Sequence, residues 1–510
     1  MTQKKIVLVQ PPFYRLFDDA HSYNEAQLSL GYLAGAIGAS TSWEVGIYNA
    51  DFNRNTFFQG HSASFSFKAT EGYANFLANV TEQEHPIWKE VQEILEEMQP
   101  DVVGITTTTQ NFRSACMVAR IAKAIDPAIS VIVGGPHCSM IGVDVLDAAE
   151  IDFGVIGEGE VTIVDLLLAL EKKTDLSEVK GIVYRLNGKK TATAPRDLIF
   201  DLDSLPFPHL AAQASLRDYP LYPKSAFYSV LSSRGCPYRC TFCGSSRVWG
   251  GKVRLRSPEN VIQELESLQQ MGLRSVRFAD DTFGWNRDWT EVLCHGITTR
   301  CPGLKWKCEV HVSLVNDELL SMMRRAGCHM IEVGVESGDN RVLQAVHKKI
   351  TVEQALEACR LVKKHGIELQ AYLIAGFPQD TEESLARTRE VIKKIKGYIW
   401  LSAFSPFPGT DLYDYCREQG VLPPGFDPTL QNFQNPTSYC SIPQEKFRET
   451  VLAMMQEVDA HNNVNHIGRI FSLNTLWRLQ EMGVRNAVMK GVEIFLSKNL
   501  LNRASRFFSP

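Results

Sequence analysis

The sequence predicts an α/β protein made of two sheet domains followed by a helical C-terminal region. Three observations predict it. Over residues 1–190, strand-like apolar runs alternate with helical periodicity. Between residues 225 and 410, six more strand-like runs are each separated from the next by a helix-length segment, and beyond Asp411 the pattern is mostly helical. At 510 residues, with 44% hydrophobic, 22% charged and 10% aromatic side chains, the chain has ordinary globular composition, which excludes disorder as its main state.

In the first domain (1–190), strands are expected at residues 6–10, 43–48, 102–106, 130–133 and 153–156, the succession of a doubly wound, Rossmann-like parallel sheet. Helix 26–37 places Leu28, Leu30, Tyr32, Leu33 and Ile37 where they can cover a sheet face. Helix 111–125 does the same with Met117, Val118, Ile121 and Ile125. Residues 53–85, rich in Phe, Ser and Asn and poor in periodicity, read as an insertion or loop at the ligand edge. Pro206, Pro208, Pro220 and Pro223 mark residues 191–224 as a linker.

The second domain (225–410) has strand candidates at 227–232, 275–279, 306–311, 330–335, 369–374 and 398–404. Ser257 ahead of Pro258, and Thr351 with Gln354 in a capping box, mark two of its helix starts. Six βα units are too few for a standard closed barrel, so a partial, open (βα)6 TIM-like barrel is expected. In the helical region 411–510 the longest candidates are 445–461 and 476–500.

Lys and Arg number 53 against 58 Asp and Glu, and the formal charge of −5 does not suggest a nucleic-acid surface. The apolar run 6–9 falls far short of a signal-peptide core or of the ~20 residues of a membrane span, so a cytoplasmic chain without a transmembrane segment is expected. Twelve cysteines without an export signal are then expected as reduced thiols, and any cluster among them points to metal.

Three of them form such a cluster. Cys236, Cys240 and Cys243 stand in the spacing CxxxCxxC directly after the first barrel strand. Three thiolates from one loop can bind three irons of a 4Fe-4S cluster and leave the fourth iron open to a small molecule. Zinc is the competing metal; it needs four ligands, and the nearest spare thiols are Cys294 and Cys308.

The loop Arg234-Gly-Cys-Pro-Tyr-Arg-Cys-Thr-Phe-Cys-Gly244, placed after the first strand of a partial barrel, resembles the radical S-adenosylmethionine (SAM) superfamily. The resemblance implies that SAM chelates the open iron and that an electron from the reduced cluster cleaves it to a 5′-deoxyadenosyl radical. It places Phe242 against adenine, or else in the loop's own core. Phe278-Ala-Asp-Asp-Thr-Phe283 resembles the segment that binds the SAM amino group, with Asp280 and Asp281 as candidates, unless one of them caps the following turn. Gly334-Val-Glu-Ser-Gly338 resembles the ribose-contacting segment, through Glu336 or Ser337; Glu309 is a further polar candidate or a solvated edge residue. Gly376-Phe-Pro378 and Ser405 to Thr410 resemble two further turns, where glycine and proline also suit turn geometry alone.

In an open parallel sheet, ligands bind beyond the carboxyl ends of the strands. In the first domain those ends carry Gln10, Thr106, Thr107, Thr108, Gly134-Gly135-Pro136-His137 and Gly157-Glu158-Gly159-Glu160. None is a GxGxxG fingerprint or a P-loop. Ahead of a radical SAM barrel, GGPH and GEGE resemble the cobalamin-binding branch of the superfamily. The nearest approach to DxHxxG, Asp19 to Asn24, lacks the glycine, so His21 reads as a loop histidine and no histidine is expected below cobalt. His137 either faces the cofactor or is a satisfied loop histidine.

The resemblance implies a 4Fe-4S cluster, SAM and cobalamin as cofactors, and an electron donor such as flavodoxin or ferredoxin. It points first to methylation of an unactivated carbon, with one SAM supplying methyl through cobalt and a second supplying the radical. The runner-up is a ring-forming or rearranging enzyme like the anaerobic magnesium-protoporphyrin ester cyclase, and a third reading is a non-catalytic sensor. A small-molecule or lipid-like substrate is expected; Phe495, Leu496, Leu500, Leu501, Phe507 and Phe508 suit lipid contact or core packing, and Arg469, Arg478, Arg485, Arg503 and Arg506 an anion site or a solvated face.

Overall fold

Alternation along the strands decides the layers of the first domain. In the computed structural model, which describes residues 3–17, 25–53, 65–431 and 436–470, five strands are parallel: β1 (Lys5–Gln10), β2 (Glu44–Asn49), β3 (Val102–Thr106), β4 (Ser130–Gly134) and β5 (Phe153–Val155). Their order is β2-β1-β3-β4-β5. Ile6 and Leu8 pack with Leu30, Ile37, Ile163 and Leu166 from helices Leu28–Ser40 and Gly159–Lys172. Val7, Val9, Val103 and Val131 pack on the opposite face with Trp88, Val91, Met117 and Val118 from helices Pro86–Met98 and Phe112–Ile125. Each buried aliphatic side chain of this kind contributes ~1.5–3 kcal/mol, so the period-two pattern closes both faces of the sheet.

Three features depart from the expectation. An antiparallel hairpin, β6 (Ile182–Leu186) and β7 (Lys189–Ala192), extends the sheet beyond β5, which makes it seven-stranded and mixed instead of purely parallel. Residues 53–85 are not simply a loop: they include helix Phe65–Asn79, where Phe76 stacks on Phe17 with ring centroids 5.0 Å apart. Tertiary packing of this kind stabilises a helix whose own periodicity is weak. Residues 191–224 carry helix Pro208–Ser215, packed so tightly on helix Leu28–Ser40 that a Cβ at Gly31 would lie 2.6 Å from the Pro208 carbonyl.

The second domain starts with β8 (Ser229–Val230), shorter than the run 227–232 because the Ser232 N–H leaves the ladder and donates to Asp280 at 2.7 Å. β9 (Ser233–Arg234) pairs antiparallel with β10 (Arg254–Leu255). Then β11 (Ser275–Phe278), β12 (Lys305–Glu309), β13 (Cys328–Glu336), β14 (Glu368–Ala375) and β15 (Tyr398–Ala403) join β8 in a six-stranded parallel sheet in chain order. β8 and β15 do not pair with each other, so the barrel is open. Ser257 caps helix Pro258–Gln270, and Thr351 with Gln354 forms the expected capping box on helix Val352–Lys364.

Alternate residues of β14, Leu369, Ala371, Leu373 and Ala375, are buried in the shared core. The intervening half-buried positions are polar or aromatic apart from Ile374, with Lys307 and Glu309 on β12, Gln370 and Tyr372 on β14, and Trp400 and Ser402 on β15. Helix Gln444–Ile470 buries Phe447, Val451 and Met454 in the same core. The segment 19–24 with His21, the helix candidate 476–500, Arg503, Arg506 and the terminal apolar residues lie outside the described residues.

Candidate functional site

The three clustered cysteines lie on the excursion between β9 and β10, whose pairing closes its base. Several contacts fix this loop. Arg234 forms buried ion pairs with Glu158 at 2.6 Å and with Glu160, and Arg254 pairs with Glu158 at 2.7 Å. Gly235 has φ = 104°, and a Cβ there would fall 2.0 Å from the Lys252 carbonyl, so only glycine fits. Its N–H donates to Asp281 at 3.1 Å. Further along, the Thr241 N–H donates to the Val346 carbonyl at 3.1 Å, and the Leu412 N–H donates to Thr241 at 2.9 Å. Phe242 packs with its ring 5.3 Å from Phe377.

Burial pushes the Cys236 and Cys243 thiols up to about 11, and the Cys240 thiol upward as well, while Lys348 pulls all three toward the thiolate form. The three sulfurs also interact electrostatically with one another. Lys348 is buried and donates to Glu336 at 2.8 Å. That pair has a local origin. The β13–β14 register shifts at Gly334–Glu336, Glu336 takes φ = 63°, and the missing side chain of Gly334 leaves the space that Glu336 and Lys348 fill.

The other strand ends differ in how far their polar groups are already satisfied within the protein. The Asp280 carboxylate is buried and saturated: it accepts from the Ser232 N–H, the Ser232 hydroxyl and, at 2.8 Å, the Ser233 hydroxyl. Burial still raises its pKa to about 6. Its contacts tie β11 to the start of the cysteine loop, and both of its oxygens already accept. Asp281, one residue on, interacts electrostatically with Cys236 and Cys243 and faces the Trp249 side chain. Glu309 is raised to about 7 by burial and by repulsion from Glu332 and Glu336. Ser337 is wholly buried, its hydroxyl accepting from the Asp339 N–H at 3.2 Å. Gly376 has φ = 96°, and a Cβ there would lie 2.4 Å from the Phe447 ring.

In the first domain, the ends of β1, β3, β4 and β5 share one edge, which brings Gln10, Thr106, Gly134 and Gly157 together along it. Thr107 is buried with its hydroxyl on the Gly134 carbonyl at 2.8 Å, whereas Thr108 is exposed. Gly135, at φ = 103°, is held so close to Thr107 that a Cβ would meet its carbonyl at 2.7 Å. His137 is 2% exposed, its Nδ1 lies 3.0 Å from the Thr109 hydroxyl and its ring 4.4 Å from Phe112, but its Nε2 is buried without a hydrogen-bond partner. Burial lowers its pKa to about 4, so the ring is neutral. Glu158 is not part of the open edge. Both its oxygens are taken by Arg234, Arg254 and the Ile199 N–H.

These residues fit the expected groups. Three thiols on one loop, biased by one ammonium and without a fourth neighbouring thiol, match a cluster with an open iron. Cys294 and Cys308, the spare thiols for zinc, are core residues next to Cys328. The orphaned His137 Nε2, and the open space around Gly157 where a Cβ would stand, suit a large ligand with hydrogen-bonding groups.

Two residues of this site have no place in the sequence reading. Lys348 sits in a turn after helix Asn340–Ala345, where nothing local signals its long-range partner. Asp380, buried, accepts from the Gly376 and Phe377 N–H groups, each at 2.9 Å, and shapes that turn. Its signal was available: an Asp just before the Thr381 helix cap is a turn former.

Comparison with known proteins agrees with this geometry. The family model for the Radical SAM superfamily matches residues 230–392, and the model for the B12 binding domain matches residues 71–167. An uncharacterized methyltransferase, PH0819, of Pyrococcus horikoshii is 32% identical over 368 residues, covering 68% of this chain and 78% of the relative. The anaerobic magnesium-protoporphyrin IX monomethyl ester cyclase of Rubrivivax gelatinosus is 30% identical over 68% of this chain, which spans 63% of that relative. The solved structure of the radical SAM methyltransferase TsrM from Kitasatospora setae, with cobalamin and a [4Fe-4S] cluster bound, superposes with a TM-score of 0.62 over 83% of this chain and 80% of its own, at 18% identity. That likeness is one of fold.

Proposed function

Since the chain belongs to the radical SAM superfamily, in its cobalamin-binding branch, we propose that it methylates an unactivated carbon of a small polar molecule. The observation that carries the reading is the meeting of the two cofactor sites. Met140, three residues after His137, lies where a Cβ on Gly244, next to Cys243, or on Gly409 would strike it, at 2.5 and 2.2 Å. The cobalamin edge and the cysteine loop therefore adjoin.

When bound, the cluster supplies the electron that cleaves SAM, and cobalamin carries the methyl group. The chain's own residues would do the placing. Cys236, Cys240 and Cys243 hold the cluster, and Phe242 packs on adenine. Asp281 and Glu309 face the SAM amino end and Glu336 the ribose, while the wholly buried Ser337 and Gly376, whose missing side chain makes room for Phe447, shape the turns beside them. Gln10, Thr106, Thr107, Thr108, Gly134, Gly135, His137 and Gly157 would form the cobalamin cradle. Asp280 and Glu158, with saturated carboxylates, anchor the loop instead.

The lumen supports a polar over a lipid-like substrate: Glu332, 2% exposed on its side chain, pairs with Lys307 at 3.0 Å and Arg277 at 3.6 Å, beside Gln370 and Tyr372. Radical SAM chemistry needs a reductant, for which a flavodoxin or ferredoxin is suited. The twelve unpaired cysteines support a cytoplasmic setting. Among the described residues no helix is long and apolar enough to cross a membrane.

The test is anaerobic incubation of the reconstituted holoenzyme with deuterated-methyl SAM, reductant and host cell extract. A methylase yields a product carrying the labelled methyl, with S-adenosylhomocysteine and 5′-deoxyadenosine in equal amounts. Turnover with 5′-deoxyadenosine and no label in the product would replace methylation with a cyclase-type reaction.

A further inference from the structure

The Gly157-Glu158-Gly159-Glu160 turn belongs to the first domain, yet its two carboxylates pair with side chains of the second. Their partners are Arg234, two residues before Cys236, and Arg254, on the strand that closes the base of the same excursion. All four side chains are at least 92% buried, and the Arg234 guanidinium also lies 5.2 Å from the Tyr32 ring of the first domain. The far end of the loop is held by the same domain. Met140, from the helix that carries His137, fills the niche left by Gly244 beside Cys243 and by Gly409.

We propose that the GEGE turn is a positioning clamp: Glu158 and Glu160, through Arg234 and Arg254, let the first domain set where the three cysteines stand. The geometry favours this over a role in holding cobalamin. Glu158 spends both oxygens on two guanidiniums and one backbone N–H, so none is left for a corrin or its tail. One guanidinium reaches both glutamates through separate nitrogens, a planar two-point contact that a lysine cannot copy. With Gly235 pinned by the Lys252 carbonyl and by Asp281, a displacement of Arg234 passes directly to Cys236.

This rests on the reading of the chain as a cobalamin-dependent radical SAM enzyme, and the experiment separates the two. Reconstituted wild type, Glu160→Gln and Arg234→Lys would be compared for bound iron, bound cobalamin and, with SAM and reductant but no substrate, the electron paramagnetic resonance of the reduced cluster and the release of 5′-deoxyadenosine. The clamp predicts full iron and cobalamin in both variants, an altered SAM-induced change in the cluster signal, and about tenfold slower 5′-deoxyadenosine release. Met140→Ala, at the other end of the loop and outside the ion pairs, should slow release about threefold with both cofactors retained. A wild-type signal and rate in both clamp variants would overturn the clamp, as would loss of cobalamin with the cluster unchanged. Wild type that bound no cobalamin or released no 5′-deoxyadenosine would instead overturn the functional reading. If Arg234→Lys fails to fold, the Glu160→Gln and Met140→Ala arms still decide.

Discussion

Gly334→Ala isolates the Glu336–Lys348 pair without removing either charge. A Cβ at position 334 would stand 2.2 Å from Glu336 Oε1 and 2.7 Å from Lys348 Nζ, and no backbone atom is among its three nearest contacts. Ordinary contact therefore requires the carboxylate to retreat by about 1 Å, and a misplacement of that size at a reacting site costs roughly 100-fold, or about 2.7 kcal/mol of barrier. Gly334 is not among the glycines at positive φ, so alanine brings no backbone strain there. The assay is anaerobic release of 5′-deoxyadenosine at saturating SAM, with iron content and thermal midpoint as controls. The expected outcome is a full cluster, a midpoint within a few degrees of wild type and a rate about two orders of magnitude lower. A rate within threefold of wild type would refute the argument that this pair sets SAM geometry. Lys348→Met is the harsher companion, since it leaves Glu336 buried and unpaired at a cost of about 3–5 kcal/mol, and it should lower the midpoint as well.

Cys236→Ala, Cys240→Ala and Cys243→Ala should each lose or cripple the cluster, whereas Cys359→Ala, on a buried helix face, should keep four irons by iron analysis and absorbance. Glu309 gives a pH signature. Its pKa rises from 4.5 to about 7 on folding, so the folded chain binds the extra proton between those values and stability falls as pH rises through that window. The thermal midpoint of Glu309→Gln relative to wild type should therefore climb between pH 5 and about 7.5; a flat difference would contradict the burial argument. His137→Leu removes the unpartnered Nε2 at similar volume and should weaken cobalamin retention about tenfold in gel-filtration recovery, the worth of about one hydrogen bond, while His21→Ala should leave it unchanged.

Strand positions were legible wherever β-branched runs alternate. Val102–Thr106 was read to the residue, because five residues between polar punctuation allow no other register. The hairpin β6–β7 has a local signal in Asn187-Gly188, at φ of 51° and 78°, a two-residue turn between short strands. Helix Phe65–Asn79 had none, since its stability comes from packing such as Phe76 on Phe17. At the site, residue types were legible and directions were not. Asp280 and Asp281 are neighbours in sequence, yet one carboxylate is saturated by two serines and the other stands among the thiols. Which way a carboxylate faces depends on partners such as Arg234, 76 residues from Glu158, or Lys348, 12 residues from Glu336, and local pattern carries no record of them.

The strand orders of the two sheets have a consequence for synthesis on the ribosome. In the barrel each strand pairs with the one made just before it in the sheet, so that layer can zip up as the chain emerges. In the first sheet, β1 lies between β2 and β3, so its second edge waits until residue 106 has been made. The cysteine loop waits longer, because Thr241 is fixed by Val346 and then by Leu412. At elongation rates of about 5–20 residues per second the three thiols leave the ribosome on the order of ten to thirty seconds before their last anchor exists. Iron loaded in that interval would meet a loop still lacking that anchor, so cluster assembly belongs after residue 412 has been made.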